Sequence, residues 1–313
     1  MNIAFILDPL ESINIHKDSS FAMMREASQR GHRIHALHQE DIVLLEGRIK
    51  AWSREIFLTG RDPDWYEIGE ILPGHLAQYD AVLMRKDPPF DMEYYYATQL
   101  LELAEREGAR IFNRPAALRN WNEKLSIARF PEFTPSTLVS KQESALRDFL
   151  DHHRDIVIKP LDGMGGSGVF RVRENDPNTG VIIETATRYG TKTVMAQRFI
   201  PGIEKGDKRI LVVGGIPAPY CLARIPKKGE TRGNLASGGK GIAQALSDRD
   251  REIAGAVGPV LEKEGIFLAG LDVIGSHLTE INVTSPTCMQ EILDQTGCDV
   301  AKMMIDLLES KCA

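Results

Sequence analysis

The stretch DIVIKPLDGMGGSGVFRVR, residues 155–173, has the pattern of a strand, a glycine-rich loop and a second strand. Apolar runs at 156–158 and 169–172 predict the two strands. Lys159, at the end of the first run, supplies the positive charge that a triphosphate requires. The loop glycines are Gly163, Gly165, Gly166 and Gly168. Because they have no side chains, they let main-chain N–H groups approach a polyanion. The pattern therefore predicts a flap over nucleotide phosphates.

The residues around this loop disfavour two other kinds of glycine loop. The spacing fits G-x-G-x-x-G, but a dinucleotide fingerprint requires a helix after the glycines, and here a β-rich segment follows. The P-loop pattern G-x-x-x-x-G-K-[ST] does not occur in the sequence. A flap between two strands, such as kinases place over ATP, fits better. Taken alone, the loop is also compatible with an ordinary glycine-rich hairpin turn.

Composition limits the class of protein and its partners. The 313 residues suggest two or three domains, and 42% hydrophobic with 26% charged residues is typical of a globular fold. The net charge of −6 gives no electrostatic basis for binding nucleic acid or an anionic membrane. The four cysteines lack C-x-x-C spacing, and the sequence shows no signal-peptide pattern and no membrane-length apolar run. We therefore expect a cytoplasmic protein.

Strand and helix patterns alternate over the first 113 residues. Strands are expected at 2–8, 34–37, 80–84 and 109–113, helices at 21–30 and 92–107, and a hairpin turn at 45–48. This order predicts an open, mostly parallel sheet whose ligands lie beyond the carboxyl ends of the strands. Two polar loops fall there, Asn14–Ser20 and Arg85–Asp87. Singly, each of these residues is more simply explained as part of a solvated loop.

Near the C-terminus, LAGLDVIGSHLTEINVTSPT (residues 268–287) predicts two strands around a three-residue turn at 275–277. A turn of that length sets Asp272 opposite Glu280, whereas a two-residue turn puts them on opposite faces. Asn282 shares the face of Glu280 in either case. Two carboxylates and an amide oxygen suit Mg²⁺. The alternative is a solvated polar strand face, although the apolar neighbours indicate buried acids that need a partner.

Residues 225–241, IPKKGETRGNLASGGKG, contain five glycines and five ionised side chains without an apolar period. A stretch of this length without regular structure is usually a linker or an active-site lid. Its flanks have the patterns of a sheet and a helix of one domain, which favours the lid. The cations that can close over an anionic substrate are Lys227, Lys228, Arg232 and Lys240.

Together these motifs resemble those of the prokaryotic glutathione synthetases, a family of the ATP-grasp superfamily. The resemblance covers essentially the whole chain. Its segments are 8–23, VLMRKDPPFD (82–91), NEKL (122–125), IKPLDGMGG (158–166), GDKR (206–209), 220–239 and 270–287. It implies fold class α/β and α+β, an ATP-grasp fold with an N-terminal open parallel-sheet, Rossmann-like domain. The implied divisions are a substrate domain at 1–121, a central ATP-grasp subdomain with the flap at 122–200, and a C-terminal subdomain with the lid and metal site at 201–313.

The resemblance also implies roles for the residues at matching positions. The implied ATP-binding residues are Lys124, Lys159, Gly163, Gly165, Gly166, Gln197, Arg198, Phe199, Ile200 and Asp207. The implied ligands of two Mg²⁺ ions, with Mn²⁺ as an alternative, are Asp272, Glu280 and Asn282. The residues expected to meet the dipeptide and the transferring phosphoryl group are Arg209, Arg224 and Arg232. The substrate pockets are expected to include Asn14, Lys17, Arg85, Ser285 and Thr287.

The implied reaction joins γ-glutamylcysteine to glycine through an acyl phosphate, with ATP as co-substrate. Two alternatives stay open at this point: an ATP-grasp ligase that joins another carboxylate to another amine, and a nucleotide-binding sensor without catalysis. The joint presence of Lys124, Lys159 and the three metal-ligand candidates argues against the sensor. The resemblance further implies a homotetramer whose ligands are small molecules rather than nucleic acid or membrane.

Overall fold

The computed structural model describes residues 1–227, 229–230, 233, 235 and 238–313. Within these ranges, three β-sheets follow one another along the sequence, and helices pack against each of them. No helix in the same ranges is long and apolar enough to cross a bilayer.

The first sheet confirms the predicted open, mostly parallel core and adds an antiparallel extension. Its strands are β1 (Asn2–Ile6), β2 (Arg33–Leu37), β3 (Ile42–Leu45), β4 (Arg48–Leu58), β5 (Tyr66–Gly74), β6 (Ala81–Met84) and β7 (Ile111–Phe112). Strands β2, β1, β6 and β7 lie side by side in parallel. Strands β3, β4 and β5 pair antiparallel at the β2 edge, because the short turn at 46–47 reverses the chain.

Helices α1 (Ser19–Gln29) and α2 (Met92–Arg106) cover opposite faces of this sheet, and the short α3 (Pro115–Asn120) follows β7. Asp18 caps α1 by accepting a hydrogen bond from Phe21 N at 2.7 Å, and Asp91 caps α2 in the same way. Alternate residues of β1 separate the two cores. Ile3 packs in the core that contains α1, whereas Ala4 packs in the core that contains α2.

The second sheet carries the glycine flap. Its strands are β8 (Thr137–Ser140), β9 (Asp155–Pro160), β10 (Phe170–Arg173) and β11 (Val194–Arg198), and they run in the antiparallel order β10-β9-β11-β8. Helices α4 (Glu143–His153) and α5 (Thr179–Thr187) pack on it. Leu146, Ile156, Ile158 and Ile183 form their shared core. The strands that carry the flap therefore pack against a buried hydrophobic core.

The third sheet has the order β14-β13-β12-β15-β16 and is antiparallel. Its strands are β12 (Asp207–Val213), β13 (Ile216–Ile225), β14 (Lys240–Ala245), β15 (Leu268–Ile274) and β16 (His277–Asn282). Its helices are α6 (Asp248–Glu264), α7 (Met289–Thr296) and α8 (Val300–Cys312). Helix α6 is amphipathic, and its Ile253, Val257 and Leu261 are fully buried.

Strand β14 corrects one sequence expectation. The stretch 225–241 was expected to lie between sheet and helix, but both of its ends are strands of one sheet, with Ile225 opposite Lys240. The residues of β14 are mostly exposed or half-buried, so they carry little apolar pattern. Pairing with β13 makes this segment a strand, and that contact is invisible in the local sequence.

Asn113 fastens the first sheet to the third. Its Nδ2 donates to the carbonyl oxygens of Leu268 (2.8 Å) and Val283 (2.7 Å). Its Oδ1 accepts from the main-chain N–H groups of Phe267 (2.6 Å) and Leu268 (2.8 Å). One buried amide thus fixes how β7 meets the strands β15 and β16 that lead into the cleft described next.

Candidate active site

A cleft of about 350 Å³ opens between the glycine flap and the third sheet, a volume typical of small-molecule sites. Most of the residues singled out from the sequence line it. These are Lys124, Lys159, Gly163, Gly165, Gly166, Gln197, Arg198, Phe199, Ile200, Asp207, Arg209, Arg224, Asp272, Glu280, Asn282, Ser285 and Thr287.

The flap has the predicted strand–loop–strand form. Strands β9 and β10 pair antiparallel, with Ile158 opposite Phe170. The loop turns through residues with positive φ, which are Gly165 (61°), Gly166 (80°) and Gly168 (69°). Gly163 is required for another reason, because a Cβ there would lie 2.6 Å from Cγ of Pro160. The loop can consequently bring its main chain close to a ligand in the cleft.

Two buried lysines lie beneath the flap. Lys124 Nζ donates to the carbonyl oxygen of Gly163 at 2.6 Å and to the carboxylate of Glu280 at 2.8 Å. Burial alone lowers the pKa of Lys124, but Glu280 more than offsets it and the pKa is raised. Lys159 Nζ donates to the carbonyl oxygen of Thr279 at 3.2 Å, and burial lowers the pKa of Lys159 to about 8. An incoming polyanion would raise this pKa and so favour the charged form.

The hairpin β15–β16 sets Asp272 opposite Glu280, as predicted, but by a different route. Ile274 pairs with His277, so the turn contains two residues rather than three. A β-bulge then leaves Thr279 as an extra residue on β16 and shifts the pairing by one position. The predicted turn length is therefore wrong, and the bulge returns both acids to one face.

Asp272 lies at the centre of an arginine cluster. It accepts from Arg209 Nε at 2.5 Å and Nη2 at 3.0 Å, and from Arg224 Nη2 at 2.9 Å. Burial alone raises the pKa of Asp272, yet the two guanidinium groups hold it well below its usual range. Arg224 also donates to the carboxylate of Asp207 at 2.5 Å, and burial raises the pKa of Asp207. Two cations and two acids thus share one buried wall of the cleft.

The donor set on the hairpin fits a hard divalent cation. Asp272 and Glu280 supply carboxylates, while Asn282 donates its Nδ2 to the carbonyl of Gly270 at 3.1 Å and keeps its amide oxygen as an acceptor. Within the described ranges, no three His, Cys, Asp or Glu side chains converge on one point. A cation held here would therefore also need oxygens from water or phosphate, as Mg²⁺ sites commonly use.

The segment 197–200, which was expected to bind ATP, contributes apolar side chains to the cleft. Phe199 and Ile200 line it, while the side chain of Gln197 is directed to Thr137 of β8 through a 3.0 Å hydrogen bond. Arg171 of β10 lies over the Phe199 ring, 3.4 Å from its centroid, and makes a bidentate ion pair with Asp155 at 2.9 and 2.6 Å. This stacking holds the aromatic ring at the cleft wall.

Three residues that the sequence assigned to the substrate pockets do not line the cleft. Asn14 borders a separate surface depression beside Trp65, and Lys17 is exposed. Arg85 is buried and donates to Ser20 Oγ and to the carbonyl oxygen of Pro286, each at 3.0 Å. Arg85 therefore contacts the loop that carries Ser285 and Thr287, which do line the cleft.

The predicted lid is described only in part, since Lys228 and Arg232 lie outside the described residues. Of the described positions, Gly233 and Leu235 line the cleft. A Cβ at Gly233 would lie 2.4 Å from the carbonyl oxygen of Arg224. The connection between β13 and β14 thus reaches the cleft wall.

Two acids at the cleft, Glu123 and Asp87, were not among the assigned site residues, although Asp87 ends the polar loop Arg85–Asp87 expected at the ligand edge of the first sheet. Glu123 Oε1 accepts hydrogen bonds from Val283 N (2.9 Å), Thr284 N (3.1 Å) and Thr284 Oγ1 (2.8 Å), and burial raises the pKa of Glu123. Asp87 also lines the cleft, and its carboxyl bonds to Ser285. The available signals were an acid directly before Lys124 and an acid beyond the carboxyl end of β6.

Two family models match the chain. Residues 1–119 match the prokaryotic glutathione synthetase N-terminal domain, and residues 123–297 match the prokaryotic glutathione synthetase ATP-grasp domain. Similar proteins include a glutathione synthetase of Nitrosomonas europaea, 58% identical over 100% of this chain and 99% of that protein. A glutathione synthetase of Salmonella typhi is 50% identical over 100% of this chain and 99% of its own length.

Solved structures agree on the fold. The D-cycloserine synthetase DcsG superposes with a TM-score of 0.71 at 15% identity, with both chains covered completely. The ATP-grasp ligase PsnB, solved with a minimal precursor, Mg and ADP, gives 0.63 at 14% identity over 99% of this chain and 98% of its own. At such identity these likenesses concern the fold alone, whereas the family models and the curated relatives span the sequence. The chain belongs to the prokaryotic glutathione synthetase family, whose catalytic part has the ATP-grasp fold.

Proposed function

We propose that the cleft joins the cysteinyl carboxylate of γ-glutamylcysteine to the amine of glycine, through an acyl phosphate formed from ATP. The activity is that of the family, ATP-dependent formation of glutathione. One observation supports this site above all: two buried lysines under a glycine flap face two carboxylates and two buried arginines across one cleft. Phosphoryl transfer to a carboxylate needs this arrangement of cations and anions.

In the first step, a carboxylate oxygen of the dipeptide attacks the γ-phosphorus, and ADP leaves. Lys124 and Lys159 bind the phosphates beneath the main chain of the flap. Arg209 and Arg224, held in place by Asp272, point fixed positive charge at the reacting oxygens. Because both guanidinium groups are already oriented and buried, little reorganisation is needed as negative charge builds up.

Asp272, Glu280 and Asn282 would hold Mg²⁺, two ions in our proposal, with Mn²⁺ as a substitute. When bound, the metal supplies charge neutralisation on the phosphate oxygens. The low pKa of Asp272 keeps this carboxylate ionised at every working pH. Lys124 keeps Glu280 paired in the meantime, so that neither group is an isolated charge inside the protein.

In the second step, the glycine amine attacks the acyl carbon, phosphate leaves, and the amine loses its proton. Water competes with glycine for the acyl phosphate, so the cleft must close before the first step. We propose that the stretch 225–241 is the lid and that its cations, Arg232 among them, meet the anionic substrates. Gly233 and Leu235 at the cleft wall support this role.

The loops around the cleft are proposed to form the substrate pockets. Ser285 and Thr287, on the loop after β16, are proposed to bind the substrates directly. Arg85 is proposed to act on the same loop, and Asn14 and Lys17 to approach the dipeptide from the first part of the chain. We further propose that the chain divides into domains at 1–121, 122–200 and 201–313. The protein is also proposed to form a homotetramer and to be located in the cytoplasm.

Omission of single substrates tests the function. The protein with ATP and Mg²⁺ is expected to form glutathione, ADP and phosphate only when γ-glutamylcysteine and glycine are both present. Equal ADP release without glycine, or ligation of dipeptides that lack the γ-glutamyl link, would instead indicate a different substrate pair.

The pKa of Lys159 predicts a pH dependence of nucleotide binding. In the free protein its pKa is about 8, while phosphate contact moves it back towards the ordinary value of about 10.4. Affinity for ADP, measured by calorimetry in EDTA, should therefore change little well below pH 8. It should fall by about tenfold per pH unit above that pH, with proton uptake on binding.

The Lys159→Met variant provides the control for this measurement. It should bind ADP at least about tenfold more weakly at pH 7.5 and show no decline above pH 8. Wild-type affinity that stayed flat to pH 9.5 would contradict the assignment of Lys159 to the phosphates.

A further inference from the structure

We propose that Glu123 is a positioning residue that holds the β16 exit loop, residues 283–287, in its substrate-binding form. The inference rests on the proposed function, because Ser285 and Thr287 of this loop line the substrate end of the cleft. Glu123 itself is not assigned a contact with substrate. It acts through the loop that it holds.

Glu123 holds two consecutive parts of the chain at once. Its main-chain carbonyl accepts from Ile281 N at 2.8 Å, within β16. Its carboxylate oxygen Oε1 accepts from Val283 N, Thr284 N and Thr284 Oγ1 at 2.9, 3.1 and 2.8 Å. The three donors would otherwise be left without this charged acceptor at the edge of a buried strand, and such a loss is costly.

The rest of the exit loop is fixed from outside the third sheet as well. Asn113 donates to the carbonyl oxygen of Val283 at 2.7 Å, and Arg85 donates to that of Pro286 at 3.0 Å. The Asp87 carboxyl bonds to Ser285. These contacts hold the loop from the side of the first sheet, whereas Glu123 holds its beginning from the side of Lys124. The residue next to a phosphate-binding lysine thus also sets the shape of the proposed substrate loop.

This arrangement predicts that loss of the Glu123 carboxylate weakens the binding of glycine and γ-glutamylcysteine much more than the binding of nucleotide. In Glu123→Ala, the KM values for glycine and γ-glutamylcysteine should rise by about tenfold or more, equivalent to ~1.4 kcal/mol. The affinity for ADP should stay within about threefold, because the hydrogen bonds of the Glu123 carboxylate go to Val283 and Thr284 of the exit loop. In Glu123→Gln, an amide oxygen can still accept from the same donors, so both KM values should return to within about threefold of wild type.

Asp250→Ala is the matched control. Asp250 is also a buried carboxylate that accepts hydrogen bonds from a side chain and a main-chain N–H, those of Ser247, and it pairs with Lys208 away from the cleft. This variant should unfold at a lower temperature with unchanged KM values. If Glu123→Ala behaves like Asp250→Ala, or raises the KM for ATP as much as that for glycine, the residue is merely structural and the inference is overturned. Glu123→Gln as impaired as Glu123→Ala would also overturn it, since charge rather than hydrogen-bond acceptance would then matter.

Thr284→Val keeps the inference testable if Glu123→Ala does not fold. It removes only the hydroxyl donor to Glu123, and the KM for glycine should rise by about threefold. An unchanged KM in this variant would count against the inference. If the wild-type protein made no glutathione, the proposed function itself would be wrong. This result differs from an unchanged KM in the variants, so the failure of the function and the failure of the inference are distinguishable.

Discussion

Replacing Glu280 by Gln should lower kcat by roughly two orders of magnitude or more, since a transition-state charge contact is lost. The fold should persist, because the carboxylate is about one-fifth exposed and its Lys124 partner still reaches the carbonyl of Gly163. We expect the ADP-release assay with both substrates to show the loss at saturating Mg²⁺. Thermal unfolding should show a smaller loss than in an Asp272 variant, because Glu280 is partly exposed and Lys124 keeps its bond to Gly163.

The Asp272→Asn variant should lose a comparable factor in kcat and also lose stability. Asp272 is 2% exposed and accepts from two buried guanidinium groups. Removing one partner of a buried ion pair typically destabilises by about 3–5 kcal/mol. Calorimetric unfolding of this variant, compared with Glu280→Gln, separates the catalytic effect from the structural one.

Glu55→Gln is a control for the Glu280 substitution. Glu55 pairs with Arg33 at 2.8 Å with 20% side-chain exposure, close to the 2.8 Å and 21% of Glu280 with Lys124, but it lies on the first sheet away from the cleft. Its kcat should be that of the wild type. Near-normal turnover of Glu280→Gln with Mg²⁺ would mean that the hairpin acids are structural and not part of the reaction.

Replacing residues 226–239 by a short Gly-Ser linker should uncouple ATP use from ligation. The change keeps the Ile225–Lys240 strand pair and removes only the connection between β13 and β14. ATP binding should remain within about tenfold, or ~1.4 kcal/mol, because Lys124, Lys159 and the flap are untouched. The acyl phosphate would then meet water, and ADP release should exceed glutathione formation severalfold.

Limited proteolysis provides an independent test of the proposed lid. Cleavage after Lys227, Lys228 or Arg232 in the wild type should be slowed by ATP and γ-glutamylcysteine together. A linker variant with one-to-one coupling, or equal protection with and without ligands, would leave this stretch a passive surface loop.

Local patterns predicted the parts of the site that depend on neighbours in sequence. The glycine flap and the helices α1 and α2 follow from residues within a few positions of one another. Strand β14 did not, because its polar residues become a strand only by pairing with β13. The length of the β15–β16 turn was also missed, since a bulge at Thr279 depends on how two strands pair.

It was also harder to predict which charged residues contact each other, because these contacts join distant parts of the sequence. Arg85 lies in a polar loop, but its contacts are with Ser20 and Pro286, far apart in sequence. Glu123 stands beside a recognisable lysine, yet its partners are about 160 positions away. Sequence spacing identifies the types of group in the cleft, whereas only the fold decides which of them touch substrate and which hold other residues in place.

The central claim is that ATP activates the dipeptide carboxylate, and an isotope-transfer experiment tests it most directly. γ-Glutamylcysteine labelled with ¹⁸O in both cysteinyl carboxylate oxygens is turned over with ATP, Mg²⁺ and glycine, and the phosphate is analysed by mass spectrometry. Through an acyl phosphate, one labelled oxygen bridges carbon and phosphorus and leaves with phosphorus when the amine attacks. Each phosphate released should therefore carry one ¹⁸O, and each glutathione should keep the other in the new amide. Phosphate without label, formed in step with glutathione, would contradict the mechanism assigned to this cleft.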